Sequence, residues 1–153
     1  MPDCRHGQGV CWLSFINKPE KEAVAELEDF WSKSKLKHDI KRVNQLTEKL
    51  FFDSSSKSKS IPVLVFGTPF QIKQWQTLFE LNFGETITYS ELAKRSGFPK
   101  AIRAAGTAIG KNNVSFLIPC HRIVRSDGSV GNYRWGAEVK KKLIDREKEK
   151  AGK

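Results

Sequence analysis

The residues best equipped for chemistry stand together in the run Ile118-Pro119-Cys120-His121-Arg122. A cysteine is a strong nucleophile only as the thiolate, and a neighbouring histidine or cation favours that form by lowering the thiol pKa. A buried structural cysteine is the ordinary alternative for a free thiol. Pro119, His121 and Arg122 are unfavourable in a purely apolar strand, so the motif favours a reactive Cys120.

A second group is predicted to reach this cysteine from the last helix, which we expect from residue 137 to about residue 150. At helical spacing Glu147 falls within the apolar stripe of that helix. A carboxylate directed at a core needs a partner, which His121 can provide. A Glu147–His121–water–Cys120 relay would then act as a general base, whereas the alternative is that Glu147 pairs with nearby lysines. The stripe itself consists of Val139, Leu143 and Ile144.

A papain-like thiol hydrolase is a competing interpretation, but its base normally comes from a distant histidine. The other two histidines are His6 and His38, and neither lies in a recognisable motif. This competitor is therefore disfavoured.

The Ser- and Lys-rich stretch 53–60 has linker composition and divides the chain into predicted domains 1–60 and 61–153. We predict strands at 9–16 and 61–66, and a further strand-like run at 114–118 before Cys120. Helices are predicted after Pro19 and near 40–51. The first part is thus expected to be a reduced α/β domain with a small sheet, and the second a mainly α domain.

Capping signals locate the helices of the second part. Thr68-Pro69-Phe70-Gln71 is a capping box with proline at the first helical position, and this helix is expected to end near Gly84. Thr88 and Glu91 form a second box, which opens a short helix that Gly97 should stop. Pro99 is expected to start the next helix, which reaches Lys111.

The two short helices that begin near Thr88 and Pro99 are predicted to form a helix-turn-helix, in a winged-helix-like arrangement. The second helix should bury Ile102, Ala105, Gly106 and Ile109. Its other face would be basic at the rim and small in the middle, which suits close approach to a nucleic acid, although any solvated basic helix pair would look similar. That face carries Lys100, Arg103, Ala104, Thr107 and Lys111.

Charge supports a polyanionic partner for the second part. Net charge is +10, and residues 61–153 carry 16 Lys/Arg against 8 Asp/Glu, whereas residues 1–60 carry 11 against 9. Each neutralised phosphate releases condensed counterions, although a solubilising Lys-rich surface has the same composition. No apolar run is long enough for a membrane helix and no signal peptide is recognisable, so we expect an intracellular protein with no membrane partner, whose three cysteines are free thiols.

From about Val63 to Glu147 the chain closely resembles the O6-alkylguanine-DNA alkyltransferases. The resemblance rests on Pro119-Cys120-His121-Arg122, on Gly131-Asn132-Tyr133 after it, and on an Arg-bearing helix before it. It implies that Cys120 is the alkyl acceptor, that His121 is the base acting through water, and that Glu147 orients His121. Asn112 matches the hinge asparagine of the family.

The same resemblance implies how DNA is bound. Arg103 matches the arginine that enters the base stack as the damaged base rotates out, and Tyr89 the residue that crowds the target phosphate and supplies a proton. Flipping is chemically required, because a thiolate cannot reach the O6 alkyl carbon of a stacked base. Lys100, Ala101 and Ala104 would lie at the DNA, approached through the minor groove. The expected pocket residues are Ser115, Val130, Gly131, Tyr133, Arg134 and Trp135.

The implied reaction is direct-reversal repair: one irreversible transfer of a methyl or other alkyl group from O6 of guanine, or less readily O4 of thymine, to Cys120. No cofactor is implied, and we expect a monomer, with cooperativity on DNA left open. Localisation would be cytoplasmic in a prokaryote and nuclear in a eukaryote. Zinc held by Cys4, His6 and Cys11 is disfavoured, because their spacing matches no strong metal pattern.

Two other functions compete with repair chemistry. A non-catalytic protein could bind the lesion and recruit other factors, but such relatives replace the cysteine, and Cys120 is present. A helix-turn-helix transcription regulator would normally carry a dimerisation element and a sensor domain, which the sequence does not reveal. Trp135 beside the pocket is predicted to disfavour bulky O6 groups such as benzyl.

Overall fold

The computed structural model describes residues 9–51 and 61–152. These residues form two compact units, one of residues 9–14 and 62–152, and one of residues 15–51 with 61. The predicted linker 53–60 lies outside the described residues, as do Cys4 and His6. The predicted domain boundary at residue 60 stays a prediction, but the observed site-bearing unit also includes residues 9–14.

Residues 9–14 join that unit through backbone hydrogen bonds. Val10 bridges Val63, and Leu13 bridges Val114, each as an isolated parallel bridge. Leu13 N donates to Asn113 O at 2.9 Å and Ser115 N donates to Leu13 O at 2.8 Å. The predicted strands at 9–16, 61–66 and 114–118 are therefore wrong as continuous strands. The run 9–16 contributes two isolated bridging residues and each of the other two runs contributes one, so the small sheet expected in the N-terminal part is absent among the described residues.

The smaller unit contains two helices, α1 (Glu20–Phe30) and α2 (Ile40–Phe51), close to their predicted positions. Pro19 stands at the N-cap of α1, as its fixed φ allows. The apolar face of α1 is little buried, because α1 buries no residue and Val24 and Phe30 are exposed. Among the described residues this unit has no strand against which that face could close.

The larger unit begins its helices with α3 (Pro69–Phe79), and the predicted capping box is present. The Thr68 side chain accepts from Gln71 N at 3.2 Å, and Gln71 Oε1 accepts from Thr68 N at 2.9 Å. α3 ends at Phe79, earlier than predicted. On its inner side Trp75 Nε1 donates to Ala108 O at 3.0 Å, which ties this helix to the later part of the unit.

The helix pair follows as α4 (Tyr89–Arg95) and α5 (Ile102–Gly110), which pack against each other and against α3. Thr88 caps α4, and Gly97 ends it at φ +87°, where glycine carries no steric cost. The start of α5 predicted at Pro99 is wrong, because residues 99 and 100 form a turn and Ala101 is the N-cap of the helix. Ile102, predicted to be buried, is consequently 43% exposed, since it stands at the open first turn.

A two-stranded parallel sheet and a long helix complete the unit. β1 (Ile87–Thr88) pairs with β2 (Ile123–Val124) in the register Ile87 to Ile123. The terminal helix α6 (Ala137–Ala151) buries Leu143, Ile144 and Glu147, as its predicted stripe requires. Within the described residues no helix is long and apolar enough to cross a membrane.

Candidate active site

Two tight turns place Cys120, where the sequence predicted a strand. Leu117 N donates to Ser115 O at 2.7 Å, which closes a γ-turn around Phe116 at φ +67°. Cys120 N donates to Ile118 O at 2.7 Å around Pro119, whose φ of −80° and ψ of 63° define an inverse γ-turn. Proline suits the second turn, because its φ is already fixed there. The non-glycine positive φ in the first turn costs about 1–3 kcal/mol.

Asn112 connects the end of the α5 region to the cysteine. Its Nδ2 donates to Ile118 O at 3.0 Å and to Cys120 Sγ at 3.3 Å, and its Oδ1 accepts from Val114 N at 2.9 Å. Asn112 and Cys120 are 2% and 3% exposed. One amide thus both shapes the turn and donates to the sulfur, while the hinge role of Asn112 stays a prediction.

The predicted contact between His121 and Glu147 is present. His121 Nε2 lies 2.8 Å from Glu147 Oε1, and His121 is fully buried. If Glu147 is ionised, Nε2 must carry the proton, so Nδ1 is the basic nitrogen. Nδ1 has no hydrogen-bond partner among the described residues. The imidazole is therefore oriented at one nitrogen and available at the other, beside Cys120.

Arg122 completes this buried cluster. Its Nε donates to Glu147 Oε2 at 2.8 Å, and its Nη2 donates to Oε1 at 3.1 Å. Its Nη1 donates to Leu81 O at 3.0 Å, and Gly84 N donates to Glu147 Oε2 at 3.2 Å. Glu147 thus accepts from four donors, so both its position and its charge are fixed.

The pKa values in this cluster follow from burial and pairing. Burial alone would raise the pKa of Glu147, but the hydrogen bonds from His121 and Arg122 outweigh it and lower that pKa to about 2. Burial lowers the pKa of His121, although hydrogen bonding to Glu147 opposes this shift. The relay therefore holds an ionised carboxylate and a neutral imidazole, which is the state that a general base requires.

Cys120 itself lies between opposing influences. Burial raises the pKa of its thiol, whereas hydrogen bonding from Asn112, the charge of Lys140 and hydrogen bonding from Tyr133 lower it. The hydroxyl groups of Tyr133 and Ser115 lie 3.2 Å apart. Burial, and then the charge of Cys120, raise the pKa of Tyr133, so its hydroxyl remains a donor to the sulfur. The Cys120 thiol is therefore neutral at rest, and these neighbours favour the thiolate once a base takes its proton.

Lys140 is a charged neighbour of Cys120 that the sequence analysis missed. It is 1% exposed, its Nζ donates to Asn132 O at 3.3 Å, and it lies 6.0 Å from the centre of the Tyr133 ring. Burial lowers its pKa to about 8, and the charge of Cys120 opposes that shift. A signal existed in the sequence, because residue 140 shares the α6 stripe with Ile144 and Glu147 at helical spacing.

Tyr89 and Arg125 also lie near the site. Burial raises the pKa of Tyr89, while the charge of Arg125 lowers it and that of Cys120 raises it. Arg125 was also missed by the sequence analysis. Its side chain lies 3.3 Å from the point where a Cβ on Gly131 would stand, and Gly131 has φ +69°. A side chain at position 131 would therefore meet both strain and Arg125.

The other predicted pocket residues divide into those near the cysteine and those turned elsewhere. Trp135 is buried and packs edge-on against Tyr133, with ring centroids 5.2 Å apart. Val130 is half-buried. Arg134 is exposed, donates to Asn113 Oδ1 at 3.1 Å and stacks over the rings of Trp12 and Trp135. Its contacts therefore give no support for a place in the pocket.

The predicted DNA-contacting residues lie on an outer surface. Arg103 and Ala104 are exposed on the outer face of α5, Lys100 is exposed in the preceding turn, and Ala101 is partly exposed at the N-cap. Thr107 and Lys111 are exposed on the same face. Among the described residues no group of three or more His, Cys, Asp or Glu side chains is placed to hold a metal ion.

A buried cysteine with a histidine–carboxylate pair, in a helix-rich unit with a two-stranded parallel sheet, defines a class of protein: one built around a thiol nucleophile. Residues 69–149 match the family model described as the 6-O-methylguanine DNA methyltransferase DNA-binding domain. The chain therefore belongs to the 6-O-methylguanine DNA methyltransferase family.

Individual relatives agree with this assignment. The chain is 34% identical to the inducible methylated-DNA–protein-cysteine methyltransferase of Bacillus subtilis, over 92% of this chain and 80% of that protein. It is 45% identical to the regulatory protein ada of Salmonella typhimurium, over 60% of this chain, but spans only 26% of that longer protein. The crystal structure of Mycobacterium tuberculosis OGT in complex with DNA superposes with a TM-score of 0.64 at 33% identity, covering 71% of this chain and 65% of that one.

Proposed function

We propose that this protein repairs alkylated duplex DNA by moving an alkyl group from O6 of guanine to Sγ of Cys120. The observation that carries the proposal is the buried thiol, which receives a hydrogen bond from Asn112 and lies beside a histidine oriented by Glu147. A thiol so placed can be deprotonated only when a base is available, and the free Nδ1 of His121 is such a base.

The reaction is a direct displacement. His121 Nδ1 accepts the thiol proton through a water molecule, and the Cys120 thiolate attacks the alkyl carbon. The carbon–O6 bond breaks, its electrons pass to guanine, and the Tyr89 hydroxyl donates a proton to the departing base. Solvent then restores His121 and Tyr89. In sum the thiol hydrogen replaces the alkyl group on guanine, and the thioether ends the protein's activity after one turnover.

Binding is proposed to use the outer face of α5 in a winged-helix-like, minor-groove approach. Ala101 and Ala104 have small side chains, which would let the backbone come close to the DNA. Lys100 and Arg103 would supply positive charge close to the phosphates. Arg103 would fill the stack when the guanine rotates toward Cys120. The protein would act as a monomer on DNA containing O6-alkylguanine.

The test is intact-protein mass spectrometry after incubation with duplex DNA that contains one O6-methylguanine. The expected result is the addition of one methyl group in place of a proton, stopping at one equivalent. Cys120→Ala should abolish this gain, whereas Cys11→Ala, at the other described cysteine, should not. If both the unmodified protein and Cys120→Ala bind the lesion tightly without any mass gain, the protein is a non-catalytic damage sensor and the proposal fails.

A further inference from the structure

Phe116 has a backbone conformation that its side chain does not favour. It is the one non-glycine residue in the described part of the chain with a positive φ, at +67°. Glycine would adopt this γ-turn freely, so the turn alone gives no reason for a phenylalanine. A strained residue beside a reactive site is a reason to ask what its side chain does there.

The Phe116 ring lies against His121. The two ring centroids are 5.9 Å apart and the planes differ by 13°, an offset stacked arrangement. His121 is fully buried, and its Nε2 is held by Glu147 at 2.8 Å. A single hydrogen bond fixes one point of the imidazole but leaves rotation about that contact, whereas a flat ring stacked on one face also fixes its plane.

We propose that Phe116 is a positioning residue, whose ring holds the plane of His121 so that Nδ1 is directed toward the Cys120 thiol and its water. Phe116 lies four positions before Cys120, and its positive φ turns its ring toward His121, the residue after the cysteine. This inference rests on the proposed function, since it assigns Nδ1 as the base for alkyl transfer.

Three substitutions separate the ring from the turn. Phe116→Leu keeps the backbone strain and much of the apolar bulk but removes the flat face. Phe116→Gly relieves the strain and also removes the ring, and Phe116→Tyr keeps the ring. We expect single-turnover methyl transfer to slow about tenfold in the Leu and Gly variants, a fraction of the full effect of a general base. The Tyr variant should react at the original rate.

Two further measurements exclude a merely structural effect. In a His121→Gln background, Phe116→Leu should slow transfer no further, because the group it positions is gone. With ¹⁵N-labelled histidine, NMR of the unreacted protein should show His121 protonated at Nε2 alone, and Phe116→Leu should shift or broaden the Nδ1 signal. This signal is assigned by its loss in His121→Gln, and it does not depend on any transfer activity.

The outcomes are distinct. If Leu and Gly variants react at the original rate with an unchanged Nδ1 signal, or if Phe116→Leu slows the His121→Gln protein equally, the positioning role is overturned. If the unsubstituted protein transfers no methyl group, the proposed function fails instead, while the NMR comparison still decides whether Phe116 orients His121.

Discussion

At the residue scale, Lys140 shows how the site combines reactivity with a cost in stability. Its ammonium is buried beside Cys120, where it favours the thiolate, yet burial of that charge is unfavourable for folding. Within the described residues its hydrogen bond is to a backbone carbonyl rather than to a carboxylate. Such a residue is expected to be retained for activity and not for stability.

Lys140→Met should therefore raise stability and slow methyl transfer. At pH 7 we expect the free energy of unfolding to rise by roughly 1–3 kcal/mol, since the buried charge is removed, and transfer to slow about tenfold. The pKa of Lys140 is about 8 in the folded protein against an ordinary 10.5, so between these values the unfolded chain binds more protons and the stability of the unsubstituted protein rises with pH. Urea unfolding at pH 7 and pH 9.5 should show the advantage of the variant shrinking at the higher pH. A variant that is less stable at pH 7 would contradict this account.

Glu147 is the opposite case, because its charge stabilises its surroundings. Glu147→Gln should destabilise the protein by about 3–5 kcal/mol, since it leaves the buried Arg122 guanidinium without its counter-charge. The pKa of Glu147 is about 2 against an ordinary 4.5, so this contribution is present above pH 4.5 and is lost as pH falls through about 2.

Chemical denaturation across this range measures the effect. The difference between the unsubstituted protein and Glu147→Gln should narrow steadily from pH 5 toward pH 2. Asp145→Asn is the matched control, because Asp145 stands on the same helix in an exposed pair with Lys141 and should change stability by less than about 0.5 kcal/mol. Equal effects of the two substitutions would show that the Glu147 cluster is not the stabilising unit.

At the element scale, two glycines in the larger unit differ in what an added methyl group would contact. A Cβ on Gly106 of α5 would lie 3.6 Å from Tyr89 Cδ1, an ordinary contact. A Cβ on Gly84 would lie 2.8 Å from the Ala151 Cβ, and Gly84 has φ +79°. Gly106→Ala should thus raise stability by about 0.5–1 kcal/mol, because helical glycine is entropically unfavourable, whereas Gly84→Ala should lower it by about 1–3 kcal/mol. Thermal unfolding of both variants decides this, and a destabilised Gly106→Ala would show that α5 and Tyr89 pack more tightly than described.

Helices were predicted from the sequence better than strands, for a physical reason. The Thr68 cap and the Gly97 stop act within a few residues of themselves, so their signals are local. Strand formation depends on partners far along the chain. Among the described residues the apolar runs at 9–16 and 114–118 meet each other only at the Leu13–Val114 bridge, so apolar composition alone overestimated them as strands.

The residues of the site also divide into those with a local sequence signal and those without one. The contact between Glu147 and His121 was predicted because helical spacing fixes the face on which Glu147 lies. Lys140 lies on that face too, but lysine side chains are rarely buried, so residue type argued against it. Phe116 gave no signal at all, since nothing in a phenylalanine indicates a positive φ.

At the scale of the whole molecule, charge should govern association with DNA. The net charge of +10 is concentrated in residues 61–153, which include the proposed binding face on α5. We expect affinity for undamaged duplex DNA to fall steeply as salt rises, because each neutralised phosphate releases counterions. The number of Lys and Arg residues that contact phosphate can then be counted from the slope of log affinity against log salt.

Substitutions at three basic residues in or near the helix pair should differ in their effects on this salt slope and on the transfer rate. Lys100 is exposed in the turn before α5, so Lys100→Ala should weaken binding and reduce the slope by about 1, with little change in the transfer rate at saturating DNA. Arg103→Ala should slow transfer at saturation, because its proposed task is to fill the space left by the flipped base. Arg95 is the control: it is already paired with Glu91 at 2.9 Å and Glu85 at 2.8 Å, so Arg95→Ala should alter neither slope nor rate. If Lys100→Ala leaves the slope unchanged while Arg95→Ala lowers it, DNA lies against α4, and the proposed face on α5 is wrong.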